Sequence, residues 1–111
     1  MREFTELTTI ETAENFIHDN KLAFLFISQP NCSVCHSLLP QVQALMANYP
    51  EIRPGYIDAA DVTEVAGRFS IFTVPVLLLF VEGKEYIREA RIVHMQLLEE
   101  KIDKIYKNLI G

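Results

Sequence analysis

The most informative stretch of this chain covers residues 22–35 and reads LAFLFISQPNCSVC. Its first seven residues form a nearly continuous apolar run, which is typical of a strand covered on both faces of a sheet. Polar residues 28–31 end that run. Apolar residues then recur at intervals of three and four, which predicts a helix. They are Val34, Leu38, Val42, Leu45 and Met46. The stretch therefore predicts a buried strand followed directly by a helix that opens at a cysteine pair.

The pattern extends in both directions from this stretch. A short extended segment near Phe4 precedes a helix, for which Thr8 and Glu11 predict a capping box. A second buried strand is predicted at Val76–Val81 and an edge strand at Lys84–Val93, followed by a last amphipathic helix. The predicted order is β-α-β-α-β-α-β-β-α. This order favours a single α/β domain over residues 1–111, with a central mixed sheet between two helical layers.

Composition excludes several classes of function. The chain has 111 residues, 10 basic and 15 acidic, and a net charge of −5. Because no basic block occurs, neither nucleic acid nor an anionic membrane surface is predicted as a partner. The apolar runs are shorter than the roughly 20 residues that span a bilayer. The first residues, MREFTE, carry acid where a signal peptide carries positive charge, so we expect a cytoplasmic protein.

The two cysteines, Cys32 and Cys35, are the only candidates for covalent chemistry that stand close together. In a reducing compartment such a pair is more often catalytic, redox-sensing or metal-binding than structural. A cysteine at the start of a helix has its thiolate stabilised by free backbone N–H groups and the helix dipole. We therefore expect Cys32 to attack a substrate disulfide. Cys35, one turn later, would resolve the mixed disulfide by attacking Cys32.

Other interpretations of the pair remain open on the sequence alone. Two buried, inert cysteines would need no chemistry. Zinc prefers four ligands, and only Cys32, Cys35 and His36 lie near one another in sequence, so a metal or iron–sulfur cluster would require two chains to share it. Residues 32–36, CSVCH, also match the attachment pattern of c-type haem, although no export signal accompanies it. No metal site and no cofactor are assigned.

Several motifs together resemble thioredoxin. They are the Cys-x-x-Cys after a buried strand, Pro40 inside the following helix, Thr73-Val74-Pro75 before the next buried strand, and the hairpin at residues 80–83. The resemblance spans essentially the whole chain and implies a thioredoxin-like fold. It also implies thiol–disulfide exchange on protein disulfides, in the direction of reduction. The electrons would come from a partner reductase or a low-molecular-weight thiol, and no cofactor is needed.

The resemblance also implies a surface for the substrate. In thioredoxins the proline that corresponds to Pro75 is cis and faces the cysteines. The backbone of Val74 would pair with an extended substrate segment. Asn31 stands directly before Cys32, where thioredoxins carry tryptophan, and is assigned to the same surface.

Three departures from the thioredoxin pattern bear on activity. Phe26 stands where the family buries an aspartate that takes a proton from the resolving thiol. Pro54 or Gly55 stands where the family has a partner lysine, and Arg91 stands where it has a glycine. Arg91 is either a plain edge-strand charge or a charge that favours acidic substrates. Because of Phe26, a binding module that keeps the groove but exchanges disulfides poorly is the rival to a reductase.

Overall fold

The computed structural model describes residues 2–110, and its elements follow the predicted order. The strands are β1 (Thr5–Glu6), β2 (Leu22–Ser28), β3 (Arg53–Asp58), β4 (Val76–Val81) and β5 (Lys84–Ala90). The helices are α1 (Ile10–Asp19), α2 (Ser33–Met46), α3 (Val65–Arg68) and α4 (Met95–Ile110). The bounds of β2 and β4 agree with the two apolar runs of the sequence.

One mixed sheet of five strands organises these elements in the order β1-β3-β2-β4-β5. β1, β3 and β2 run parallel, whereas β4 is antiparallel to both β2 and β5. Ile27 pairs with Val76, so the end of β2 and the start of β4 meet at the same edge of the sheet. The cysteine pair follows β2 and Pro75 precedes β4. The register therefore brings these two segments together.

The helices cover both faces of the sheet, in the three layers that the sequence predicts. One apolar cluster joins Phe24 and Phe26 of β2 to α2 and α4. The other joins Ala23, Leu25 and Ile27 of the same strand to α1 and α3. Because successive side chains of a strand point to opposite faces, β2 serves both clusters and all seven of its residues are buried.

Three local predictions were wrong. Val34 is 56% exposed, and Cys35 takes the core position three residues before Leu38 on α2. β5 ends at Ala90 rather than at residue 93, because the backbone reverses at Arg91, where φ is 69°. The capping box of α1 uses Thr9 and Thr12 instead of Thr8 and Glu11, with the Thr12 N–H donating to Thr9 Oγ1 at 3.1 Å.

Gly55 lies at a close approach between the sheet and the first helix. A Cβ atom built on it would stand 2.7 Å from Leu7 Cδ1, 3.1 Å from the Phe16 ring and 3.3 Å from Leu25 Cδ2. The missing side chain therefore lets β1 and α1 pack directly on β3. A side chain at this position would have to displace the Leu7 Cδ1 atom and shift the neighbouring Phe16 and Leu25 side chains.

We predict that Gly55→Ala lowers the free energy of unfolding by about 1–3 kcal/mol, because the added methyl group overpacks this contact. The matched control is Gly67→Ala in α3, where a Cβ meets nothing within 4 Å. That control should be neutral or stabilise by up to about 1 kcal/mol through helix propensity. Urea unfolding of both variants measures the difference. Equal effects of the two substitutions would contradict the packing explanation.

Candidate functional site

The cysteine pair lies at the start of α2, just after the loop that follows β2. Cys32 is the N-cap of α2, and the N–H of Cys35 donates to its Sγ at 3.1 Å. The two residues form a disulfide, with their Cα atoms 5.3 Å apart. Cys32 is partly exposed, whereas Cys35 is only 1% exposed. The two cysteines therefore differ in exposure, with Cys32 at the surface and Cys35 in the core.

The loop before Cys32 is held by His36. The Nε2 atom of His36 lies 2.7 Å from the carbonyl oxygen of Pro30, and the N–H of Cys32 donates to the carbonyl of Gln29 at 3.2 Å. The ring of His36 therefore folds back across the turn that presents Cys32. Asn31 is exposed on this turn.

The second half of the site is the segment before β4. The Val74–Pro75 peptide bond is cis, as the resemblance implies. Val74 is partly buried and packs, like Cys32, against the apolar cluster that contains Cys35. Pro75 is buried at the sheet edge where β2 ends. The structure thus brings Cys32, Cys35 and Val74 against one cluster, with Pro75 next in the chain.

Cys35 belongs to an apolar cluster of buried residues. Phe26 is fully buried in the same cluster as Cys35. Its ring stacks on Tyr56 with centroids 5.9 Å apart and planes 12° from parallel, and Phe4 packs edge-on against it at 6.4 Å. The residue of β3 paired with Phe26 is Tyr56. A phenylalanine thus occupies the position at which the resemblance implies a buried carboxylate.

Arg88 supports the segment that leads to Pro75, a role that the sequence analysis missed. Its guanidinium donates to the carbonyls of Phe69 at 2.7 Å and Ser70 at 3.3 Å, and to both carboxylate oxygens of Glu85 at 2.8 Å. Hydrogen bonds from Arg88 hold the pKa of Glu85 below its ordinary value, against a smaller opposing effect of burial. Arg88 therefore ties β5 to the loop that carries Val74. The spacing of Glu85 and Arg88 along a strand gave no signal of this contact.

Arg91 adjoins the same segment from the other side. Its N–H donates to the carbonyl of Pro75 at 2.9 Å, and its φ of 69° lies in the region that favours glycine. The resemblance implies a glycine at this position. This chain has an arginine there, with a φ in the region that favours glycine.

Residues 2–110 contain neither a metal-binding cluster of side chains nor a membrane-spanning helix. Within that range, no group of three or more histidine, cysteine, aspartate or glutamate side chains stands close enough to hold a metal ion. In the same range, no helix combines the length and the apolar character that crossing a bilayer requires.

Comparisons with known proteins agree with this geometry. A family model described as Thioredoxin matches residues 4–104. The thioredoxin-like protein YdfQ of Bacillus subtilis (strain 168) is 51% identical over 107 residues, which cover 96% of each chain. The thioredoxin of Chlamydia trachomatis is 30% identical over 73 residues, covering 66% of this chain and 72% of that protein. The solved structure of Fasciola hepatica thioredoxin superposes with a TM-score of 0.83 at 26% identity, covering 91% of this chain and 98% of that one.

The fold and the vicinal cysteine pair together define a thiol–disulfide oxidoreductase with the thioredoxin fold. The chain belongs to the thioredoxin family. A general role in thiol–disulfide redox chemistry follows from that membership and from the Cys32–Cys35 pair.

Proposed function

We propose that this protein reduces disulfides of other proteins, with Cys32 as the nucleophile and Cys35 as the resolving thiol. The observation that carries the proposal is the contrast between the two sulfurs. Cys32 is partly exposed at the N-cap of α2, whereas Cys35 is buried directly beneath it. A helix N-terminus stabilises the thiolate form of a cysteine, and the thiolate is the attacking species.

The reaction proceeds in two exchanges. The Cys32 thiolate attacks one sulfur of the substrate disulfide, forming a mixed disulfide and releasing the other sulfur as a thiolate. Cys35 then loses its proton and attacks Cys32, which releases the second substrate thiolate. The substrate gains two electrons and the protein ends with the Cys32–Cys35 disulfide. A reductase or a low-molecular-weight thiol must return two electrons before the next cycle.

The substrate segment would extend along Val74 and Pro75, next to Asn31. Val74 lies against the same cluster as both cysteines, and its carbonyl and N–H take no part in the strand pairing of β4, which begins at Val76. An added extended segment would pair with such a backbone. We place the reaction in the cytoplasm, where it contributes to redox homeostasis, because both of the chain's cysteines belong to the exchanging pair and none is left for a structural disulfide.

The direct test is single-turnover reduction of a protein disulfide, such as that of insulin, by the reduced protein. We expect the wild type to react faster than an equal concentration of dithiothreitol. Cys32→Ser should be inert, and Cys35→Ser should stop at a mixed disulfide on Cys32 that mass spectrometry detects. A wild-type rate equal to that of dithiothreitol would contradict the proposal.

The stacked pair of Phe26 and Tyr56 favours a second candidate, a binding module that uses the same groove. The resemblance implies a buried carboxylate that takes a proton from the resolving thiol, and this chain has Phe26 at that position. The resolving step would then be slow, and a mixed disulfide would persist.

Phe26→Asp and Phe26→Asn separate the two candidates, because both remove the aromatic ring and only the first supplies a base. We expect Phe26→Asp to speed the decay of the mixed disulfide at least about tenfold at pH 7, by general-base catalysis. Both variants should lose about 3 kcal/mol or more of stability, so rates are compared at a temperature where both are folded. Equal acceleration by Phe26→Asn would contradict proton transfer as the limiting step. No gain in either variant, with a wild-type rate no better than dithiothreitol, would favour the binding module.

A further inference from the structure

The turn at Arg91 has an unusual backbone. The N–H of Ile92 donates to the carbonyl of Ala90 at 2.8 Å, two residues back, and Arg91 between them has a φ of 69°. These are two marks of the γ-turn with positive φ, a rare and strained conformation. Residues other than glycine rarely adopt such a positive φ. Such strain, held at a site, points to a role for the side chain that occupies it.

The surroundings of Arg91 leave its charge available to a partner. Its backbone is tied to Pro75, yet among residues 2–110 no carboxylate forms an ion pair with its guanidinium. Arg68 and Arg88, by contrast, are paired with Glu14 and Glu85. Arg91 is therefore an exposed cation without an ion-pair partner among residues 2–110, and its backbone adjoins Pro75 of the proposed substrate segment.

Exposed apolar side chains accompany this charge. Three of the six large hydrophobic residues exposed between residues 2 and 110 belong to the segments of the site. Val34 lies between the cysteines, Phe72 is 87% exposed two residues before Val74, and Ile92 is 73% exposed directly after Arg91. Exposed apolar surface around a polar centre is typical of a surface that another polypeptide covers.

The opposite flank of the cysteine pair has the opposite charge. A cavity of about 310 Å³ lies there, beside Pro30 and His36, and its walls include Glu6, Asp58 and Asp61. Asp58 ends β3, which adjoins β2 on the side away from β4 and β5. The charge around Cys32 is therefore polarised across the sheet, from acidic at β3 to basic at Arg91.

We propose that Arg91 is a specificity-determining residue that pairs with a carboxylate of the substrate polypeptide, so that acidic residues on one side of the substrate cysteine are preferred. The pairing deepens the proposed function, on which it rests, by naming the class of substrate. Arg91 attracts the carboxylate, and the acidic flank disfavours the reversed orientation. The exposed apolar residues bury the neighbouring part of the same extended segment.

The test uses two isomeric peptides that carry Asp and Lys on opposite sides of a single cysteine, each supplied as its symmetric disulfide. Their net charges are equal, so long-range attraction to a protein of charge −5 cancels. The reduced protein is mixed with each peptide, the reaction is quenched with acid, and rate constants come from mass spectrometry. A third peptide with Gln on both sides provides the reference.

We expect the wild type to prefer one isomer over the other by about fivefold, the upper range for an exposed ion pair, and to reduce that isomer faster than the Gln peptide. Arg91→Gln should lower this ratio by at least half, and Arg91→Glu should invert it. The matched control is Lys84→Glu, with the same change of charge at the far end of β5, which should leave the ratio unchanged. The wild-type ratio should also fall in 0.5 M NaCl.

The proposal is overturned if Arg91→Glu keeps the wild-type ratio, or if Lys84→Glu changes it as much. Failure of the proposed function gives a different result, in which all three peptides react no faster with the protein than with dithiothreitol. In that event the preference is measured as binding of serine-containing versions of the peptides to the Cys32→Ser/Cys35→Ser protein by NMR titration. Equal affinities for the two isomers there would overturn the role of Arg91 independently.

Discussion

The antiparallel pairing of β2 with β4 is the constraint on which the rest of the structure depends. Both strands are buried along their whole length, and Ile27 stands opposite Val76. A slip of one residue would move every side chain of a strand from one apolar cluster to the other, so close packing of side chains of matched size within each cluster holds this register. The register makes β2 end where β4 begins. Cys32 and Pro75, which lie just beyond those two ends, therefore share one edge of the sheet.

The same apolar packing sets the chemical character of the site. Phe26 stacks on Tyr56 within the apolar cluster that also contains Cys35, so an aromatic ring stands where the resemblance implies a carboxylate. Around the cysteines the polar features lie at the periphery instead. His36 contacts the turn before Cys32, and Arg88 donates hydrogen bonds to the loop before Val74. The backbone of Arg91 bonds to Pro75, and its guanidinium has no ion-pair partner among the described residues. The protein thus has the thioredoxin fold, and the polar and charged side chains of its site lie around the cysteine pair rather than in the core.

Features encoded by local pattern were predictable from the sequence. The apolar runs marked the bounds of β2 and β4, and the polar break after Ser28 placed Cys32 at the start of α2. Features that depend on contacts distant in sequence were not predictable. The partner of Phe26 depends on the register of β3, and the end of β5 depends on a turn tied to Pro75. Helical spacing predicted Val34 in the core. In the structure Val34 is exposed, and the next residue, Cys35, is buried instead.

We propose that Cys32 and Cys35 form a reversible two-electron couple whose reduction potential is low enough to reduce the disulfides of other proteins. A redox titration of the purified protein in thiol–disulfide buffers tests it most directly, with the loss of two hydrogens across the pair followed by mass spectrometry. We expect one intramolecular disulfide with a potential of about −270 mV, the value typical of thioredoxin. A potential above about −200 mV, or no disulfide between the two residues at any poise, would contradict it.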